Sequence, residues 1–176
     1  GILVIGMNQM GYYSRNYYAT YSPRTLFTSS SEGTLGSAYP IALGSKVAKP
    51  NKAVVSISGD GGFLYNVQEL ATAVQYGLEV VVIVFNDRKF SNVQRQQKEW
   101  FEGRIIASDL HNPDFVKLGE SFGLSSRRVR TPAELRPALR NALSNSGPAL
   151  IEVDLTEELP TPWPFILSPR SRPACP

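Results

Sequence analysis

The apolar positions of this chain fall into short unbroken runs set between segments of helical periodicity. Residues 53–58 (AVVSIS) and 80–85 (VVVIVF) are too short for helices and rich in β-branched side chains, as strands buried on both faces are. Residues 67–76 between them carry apolar positions at helical spacing, and a helical crossover makes the two strands parallel. Ile2–Ile5 and residues 149–155 read as further strands, and residues 127–129 as a short one. Helices are predicted over 39–49, from the cap Asn112-Pro113-Asp114 through Phe122, and from Thr131-Pro132 with Glu134 to about Ser144. Residues 90–97 start a short helix or a loop, and the Tyr- and Ser-rich stretch up to about Ser31 is expected to be a loop. Beyond Leu155, prolines at 160, 162, 164, 169, 173 and 176 deny regular structure, so an extended tail over 157–176 is expected to follow one domain over 1–156. The alternation predicts the α/β class, a three-layer α/β/α sandwich around a mainly parallel sheet.

Both strongly apolar strands end in an acidic turn, Gly59-Asp60-Gly61-Gly62 and Asn86-Asp87. Parallel strands bring the two carboxylates to one edge, where open α/β sheets bind ligands. Two acids that close repel unless a positive charge sits between them. Magnesium suits the place, because it takes one or two protein carboxylates and completes its shell with phosphate oxygens. Gly61 and Gly62 let the backbone approach such a phosphate with its N–H groups. The chemistry implied is capture of a metal-bridged diphosphate.

Gly59-Asp60-Gly61 followed after 24 residues by Asn86 resembles the thiamin diphosphate signature. Gly33-Thr34-Leu35-Gly36-Ser37-Ala38-Tyr39-Pro40, with Ile41-Ala42-Leu43-Gly44 after it, is similar to a second block of the acetolactate synthase, benzoylformate decarboxylase and oxalyl-CoA decarboxylase group. The resemblance runs from about Gly1 to about Trp163. It implies that Asp60, Asp87 and the Lys89 carbonyl bind Mg2+, and that the N–H groups of Gly61, Gly62 and Phe90 hold the diphosphate of thiamin diphosphate. It further implies that the Gly33 carbonyl, with Thr34 beside it, receives the aminopyrimidine, and that Leu35 is the apolar wedge that bends the cofactor. In the family an activating glutamate comes from a pyrimidine-binding domain that nothing here matches; Glu32 and Glu69 do not occupy its position. No catalytic side chain is therefore expected in this chain, which reads as the diphosphate half of an active site. A pyrimidine-binding domain or subunit, homo- or hetero-oligomers and a 2-oxoacid substrate are the partners implied. The start at Gly1 suggests a fragment or a naturally split subunit.

Gln68-Glu69-Leu70-Ala71-Thr72-Ala73 and Asn112-Pro113-Asp114-Phe115 are similar to the acetolactate synthase branch. Ser91-Asn92-Val93-Gln94-Arg95-Gln96 departs from it, with Asn92 and Gln96 where biosynthetic relatives carry methionine and a substrate-selecting tryptophan, and Ser91 in place of a glycine. The expectation is therefore the wider class of 2-oxoacid decarboxylation or carboligation, a lyase or transferase activity.

Composition changes the picture little. The chain of 176 residues is 42% hydrophobic with a formal net charge of +3, which suits one globular domain. Arg127, Arg128, Arg130, Arg136 and Arg140 are not interleaved with aromatic residues, so a solvated face is expected rather than a nucleic-acid site. No run has the length of a membrane span, and cytoplasmic residence is the default. Cys175 is alone, which leaves neither a disulfide framework nor a zinc thiolate cluster. His111 reads as a loop residue and Glu69 as a helix residue with local contacts. Two rival readings remain: a Rossmann-type dinucleotide binder, in which Leu64 takes the place of the third glycine, and a non-catalytic or regulatory subunit of the same fold.

Overall fold

The computed structural model describes residues 1–28 and 33–155. The expected proline-rich tail, Glu32 and Cys175 lie outside the described residues. β1 (Ile2–Ile5), β2 (Leu26–Thr28), β3 (Val54–Gly59), β4 (Val80–Asn86), β5 (Ser125–Val129) and β6 (Ala149–Asp154) form one sheet in the order β2-β1-β3-β4-β6-β5. Every pairing in it is parallel.

Seven helices occur among the described residues. They are α1 (Gln9–Tyr17), α2 (Ala38–Ala48), α3 (Asp60–Leu64), α4 (Glu69–Gln75), α5 (Ser91–Trp100), α6 (Phe115–Ser121) and α7 (Pro132–Ser144). β4 shows why this is a three-layer sandwich. Its even positions Val80, Val82 and Val84 join a core with Leu43, Phe63, Leu70 and Phe115, while Val81 and Ile83 join Val129, Ala138, Ile151 and Val153 on the other face. A strand covered on both sides is a continuous apolar run.

The first loop expected from the sequence is instead α1 followed by β2. Asn8 caps α1 by accepting from the Gly11 N–H at 2.9 Å. Gly11 lets the helix lie against the end of β1, since a Cβ there would come within 2.3 Å of the Gly6 carbonyl oxygen. The acidic turn at Asp60 is also more regular than expected. It opens the short helix α3 directly from β3, with Gly59 as its cap.

Candidate functional site: an acidic cleft at the carboxyl edge

In register, Gly59 of β3 pairs with Phe85 of β4, so Asp60 and Asn86-Asp87 leave the sheet side by side. They open onto a cleft of about 220 Å³ whose lining includes Gly33, Leu35, Asp60, Gly61, Gly62, Asp87, Lys89 and Phe90. Segments far apart in sequence thus converge on one place. Thr34 does not join them; it is exposed, outside the lining, and its carbonyl accepts from the Ser37 hydroxyl at 3.0 Å.

Asp60 is 3% exposed. Its Oδ2 accepts from the Arg88 N–H at 2.8 Å and from Asn112 Nδ2 at 2.6 Å. Burial nevertheless pushes its carboxyl up to about 6, and the neighbouring charge of Asp87 adds to the rise, against the hydrogen bonds of Gly61, Asn112 and Arg88. Burial raises Asp87 as well, opposed by the Ser91 hydroxyl, which donates to Asp87 Oδ2, and by Lys89. The serine that replaces a family glycine therefore has a place in the site: it orients the second acid.

The loop that follows Asp87 is held in an unusual shape. Arg88 has φ +60°, a left-handed conformation that costs an ordinary residue free energy and clusters at functional sites. Its guanidinium is anchored on Asp154 and, at 3.3 Å, on the Leu155 carbonyl. An antiparallel bridge pairs Lys89 with Asp109 through bonds from Phe90 N–H to the Ser108 carbonyl and from Leu110 N–H to the Arg88 carbonyl, both 2.8 Å. Bonds of that pattern turn Lys89's own peptide groups away from the Ser108 side. They also correct one expectation: the Phe90 N–H, assigned to the diphosphate, is held by Ser108. Phe90 contributes its ring, which packs over Gly61.

The two glycines serve different ends. A Cβ on Gly61 would lie 2.5 Å from Phe90 Cε1 and 2.8 Å from Leu110 Cδ1, so packing alone requires glycine there. A Cβ on Gly62 would meet nothing nearer than Leu35 Cδ2 at 3.7 Å. Protein packing leaves that position open, and a methyl would occupy space between the first turn of α3 and Leu35. The N–H groups of a helix's first turn lack partners within the helix.

This donor set fits a magnesium diphosphate. Buried Asp60 and half-buried Asp87, both pushed towards the neutral form, offer hard oxygen ligands to a hard cation. Among the described residues, no three His, Cys, Asp or Glu side chains cluster as a metal site, which leaves the remaining coordination to carbonyl and ligand oxygens. His111 lies on an exposed loop outside the cleft lining, and Glu69 accepts from the Thr72 hydroxyl at 2.8 Å within its own helix. Met7, the cap Asn8 and the first α1 residues Gln9 and Met10 also line the cleft. The sequence reading missed them, although a capping asparagine just after a strand was the available signal.

Fold and cleft together define a parallel α/β domain with an acidic cleft at the carboxyl edge of its sheet. The model of the family described as "Thiamine pyrophosphate enzyme, C-terminal TPP binding domain" matches residues 5–153, and the chain belongs to that family. It is 43% identical over 137 residues to the acetolactate synthase of Bacillus subtilis, covering 78% of this chain and 24% of that protein. It is 40% identical over 161 residues to a probable acetolactate synthase large subunit of Methanocaldococcus jannaschii, covering 89% of this chain and 27% of the other. Among solved structures, the thiamine diphosphate-dependent 4-hydroxybenzoylformate decarboxylase of Rhodococcus jostii RHA1 is similar with a TM-score of 0.82 at 27% identity, covering 90% of this chain and 30% of that one. The chain thus spans about a quarter of the length of these curated relatives. Family membership sets the dinucleotide reading aside. No helix among the described residues is long and apolar enough to cross a membrane.

Proposed function

We propose that this chain is the metal- and diphosphate-binding part of a thiamin diphosphate enzyme that decarboxylates or ligates 2-oxoacids. The observation that carries the reading is the convergence of buried Asp60 and half-buried Asp87 on one cleft, both with raised proton affinity. A divalent cation there removes their mutual repulsion and replaces the hydration each loses on burial. In this reading the Asp60 and Asp87 carboxylates and the Lys89 carbonyl hold Mg2+. Gly62 brings its N–H group to the diphosphate, and Gly61, whose N–H faces the Asp60 carboxylate, keeps the backbone close enough for that approach. The Gly33 carbonyl receives the aminopyrimidine, and Leu35 presses apolar bulk against the cofactor and excludes water. When bound, the coenzyme supplies a thiazolium ring that serves as an electron sink for 2-oxoacid chemistry.

The remainder of the site belongs to a partner. Glu69 is engaged with Thr72, so the activating glutamate is assigned to a pyrimidine-binding domain or subunit outside this chain. Exposed Val47 and Tyr76 give apolar surface for such a partner to cover. The Methanocaldococcus jannaschii relative is named a large subunit, which supports an oligomeric enzyme. Asn92 lines the cleft near the acids, and Asn92 and Gln96, which stand where biosynthetic relatives carry methionine and the substrate-selecting tryptophan, are the residues assigned to substrate selection.

Titration calorimetry with thiamin diphosphate tests the reading. Heat of binding is expected with Mg2+ present and is expected to vanish in EDTA. A folded chain that takes up no coenzyme in magnesium buffer sinks the proposal.

A further inference from the structure

Glu152 on β6 is 2% exposed and has no place in the cleft. Its partners nevertheless lead there. Arg128, its in-register neighbour on β5, donates Nε to Glu152 Oε2 at 2.8 Å and Nη2 to Asp114 Oδ1 at 2.8 Å. Glu152 Oε1 accepts from Asn86 Nδ2 at 2.8 Å. With its nitrogen so placed, Asn86 presents Oδ1 to Asn112 Nδ2, also at 2.8 Å. That same nitrogen of Asn112 reaches Asp60 Oδ2 at 2.6 Å.

The direction of this chain of bonds is fixed by chemistry. A carboxylate only accepts, whereas an amide has one donating and one accepting end. Acceptor-only groups at both ends, Glu152 and Asp60, permit a single orientation of the two amides between them. Reversing the pair would set a carbonyl oxygen against each carboxylate. The ion pair with Arg128 holds Glu152 in place, so the polarity starts from an anchored acceptor. The far end shares Asp60 Oδ2 with the Arg88 N–H at 2.8 Å, which fixes the carboxylate's orientation before any cation arrives.

We propose that Glu152, held by Arg128, is a positioning residue for the cation-binding carboxylate of Asp60, acting through the oriented amides of Asn86 and Asn112. The inference rests on the reading of Asp60 as a metal ligand. Groups that orient metal ligands govern affinity without touching the metal.

Mn2+ binding in the presence of thiamin diphosphate, followed in the full chain by loss of the free-ion electron paramagnetic resonance signal, tests it. Glu152→Gln places a donor where only an acceptor fits, so the amides reverse and Mn2+ affinity falls about 10- to 100-fold. The side-chain amide resonances of Asn86 and Asn112 shift together in the same variant, which a loss of packing alone would not produce. Asn112→Ala removes the donor to Asp60 while leaving the Glu152–Arg128 pair intact, and it weakens Mn2+ binding to a similar extent; it decides the matter if Glu152→Gln does not fold. No uptake by the wild-type chain overturns the metal reading and this inference with it. Uptake that is equal in the wild type and the folded variants overturns this inference alone.

Discussion

Two groups of acids stand next to one another at the carboxyl end of the sheet, and the protein treats them in opposite ways. Asp114, Glu152 and Asp154 are met by arginines: Arg128 bridges the first two, while Arg88 and Arg130 hold the third, Arg130 Nε at 3.2 Å. Asp154 is held below the usual carboxylate range by the Arg88 hydrogen bond, and Asp114 by the Lys117 N–H with help from Arg128. Asp60 and Asp87 lie on the other side of the pair Asn86 and Asp154, and burial raises both. Where the chain supplies its own cations, the charge is part of the architecture. Where burial outweighs the donors it supplies, the acids keep a raised affinity for a proton.

The contrast breaks most visibly at Asp60. Asp60→Asn keeps the shape and most of the hydrogen bonds but removes the charge, and magnesium-dependent coenzyme binding is expected to weaken by more than about 100-fold, since a lost charged metal ligand costs several kcal/mol. Calorimetry at near-physiological pH measures this directly. Unchanged affinity would place the metal elsewhere.

The pH dependence of stability sharpens the same comparison. Asp60 binds its proton more tightly in the folded state, at about 6 against 3.8, so its contribution is fully present below pH 3.8 and is lost as pH rises through about 6. At 1.36 kcal/mol per unit, the metal-free chain loses on the order of 3 kcal/mol over that interval. Asp114 and Asp154 act with the opposite sign, losing their contribution as pH falls below 3.8. Denaturant melts at pH 4 and pH 7 should therefore show a larger fall in the wild type than in Asp60→Asn. Parallel curves would show that Asp60 is not the cause.

Smaller effects follow from packing and surface charge. Gly61→Ala drives a methyl into the Phe90 ring and Leu110, so a loss of about 1–3 kcal/mol in folding stability is expected, together with weaker coenzyme binding. Arg130 is 60% exposed at its side chain, and Arg130→Ala should cost at most about 1 kcal/mol and leave Mg2+ affinity untouched. A strong effect of Arg130→Ala on metal binding would erase the distinction between the two acid groups.

The sequence made one part of this site readable and hid another. Asp60 and Asp87 could be found because each directly follows an unmistakable apolar strand. α1 and β2 could not, since Gly11-Tyr12-Tyr13-Ser14-Arg15 shows no clean apolar stripe and β2 spans only Leu26–Thr28. Its helix needed the cap at Asn8 and the close fit of Gly11 on Gly6, both of which are matters of three-dimensional approach. The helical start at Asp60 was hidden by two glycines, which favour turns over helices. Asn112, Asn86 and Glu152 belong to three separate elements, and only strand register and a loop that folds back bring their polar ends together.

The cleft borrows its walls from Met7 near the beginning of the described chain and from Leu155 at its end, with contributions from several turns in between. A molecule seated there clasps the first strand and the last at once. Ligand that binds only the assembled state raises its stability by mass action, so occupancy would report on closure of the entire sheet rather than on one corner of it. Peeling β1 from its neighbours would dismantle the pocket as surely as removing an acid, and protection of the Ile2–Ile5 amides from hydrogen exchange is where that grip would be felt first.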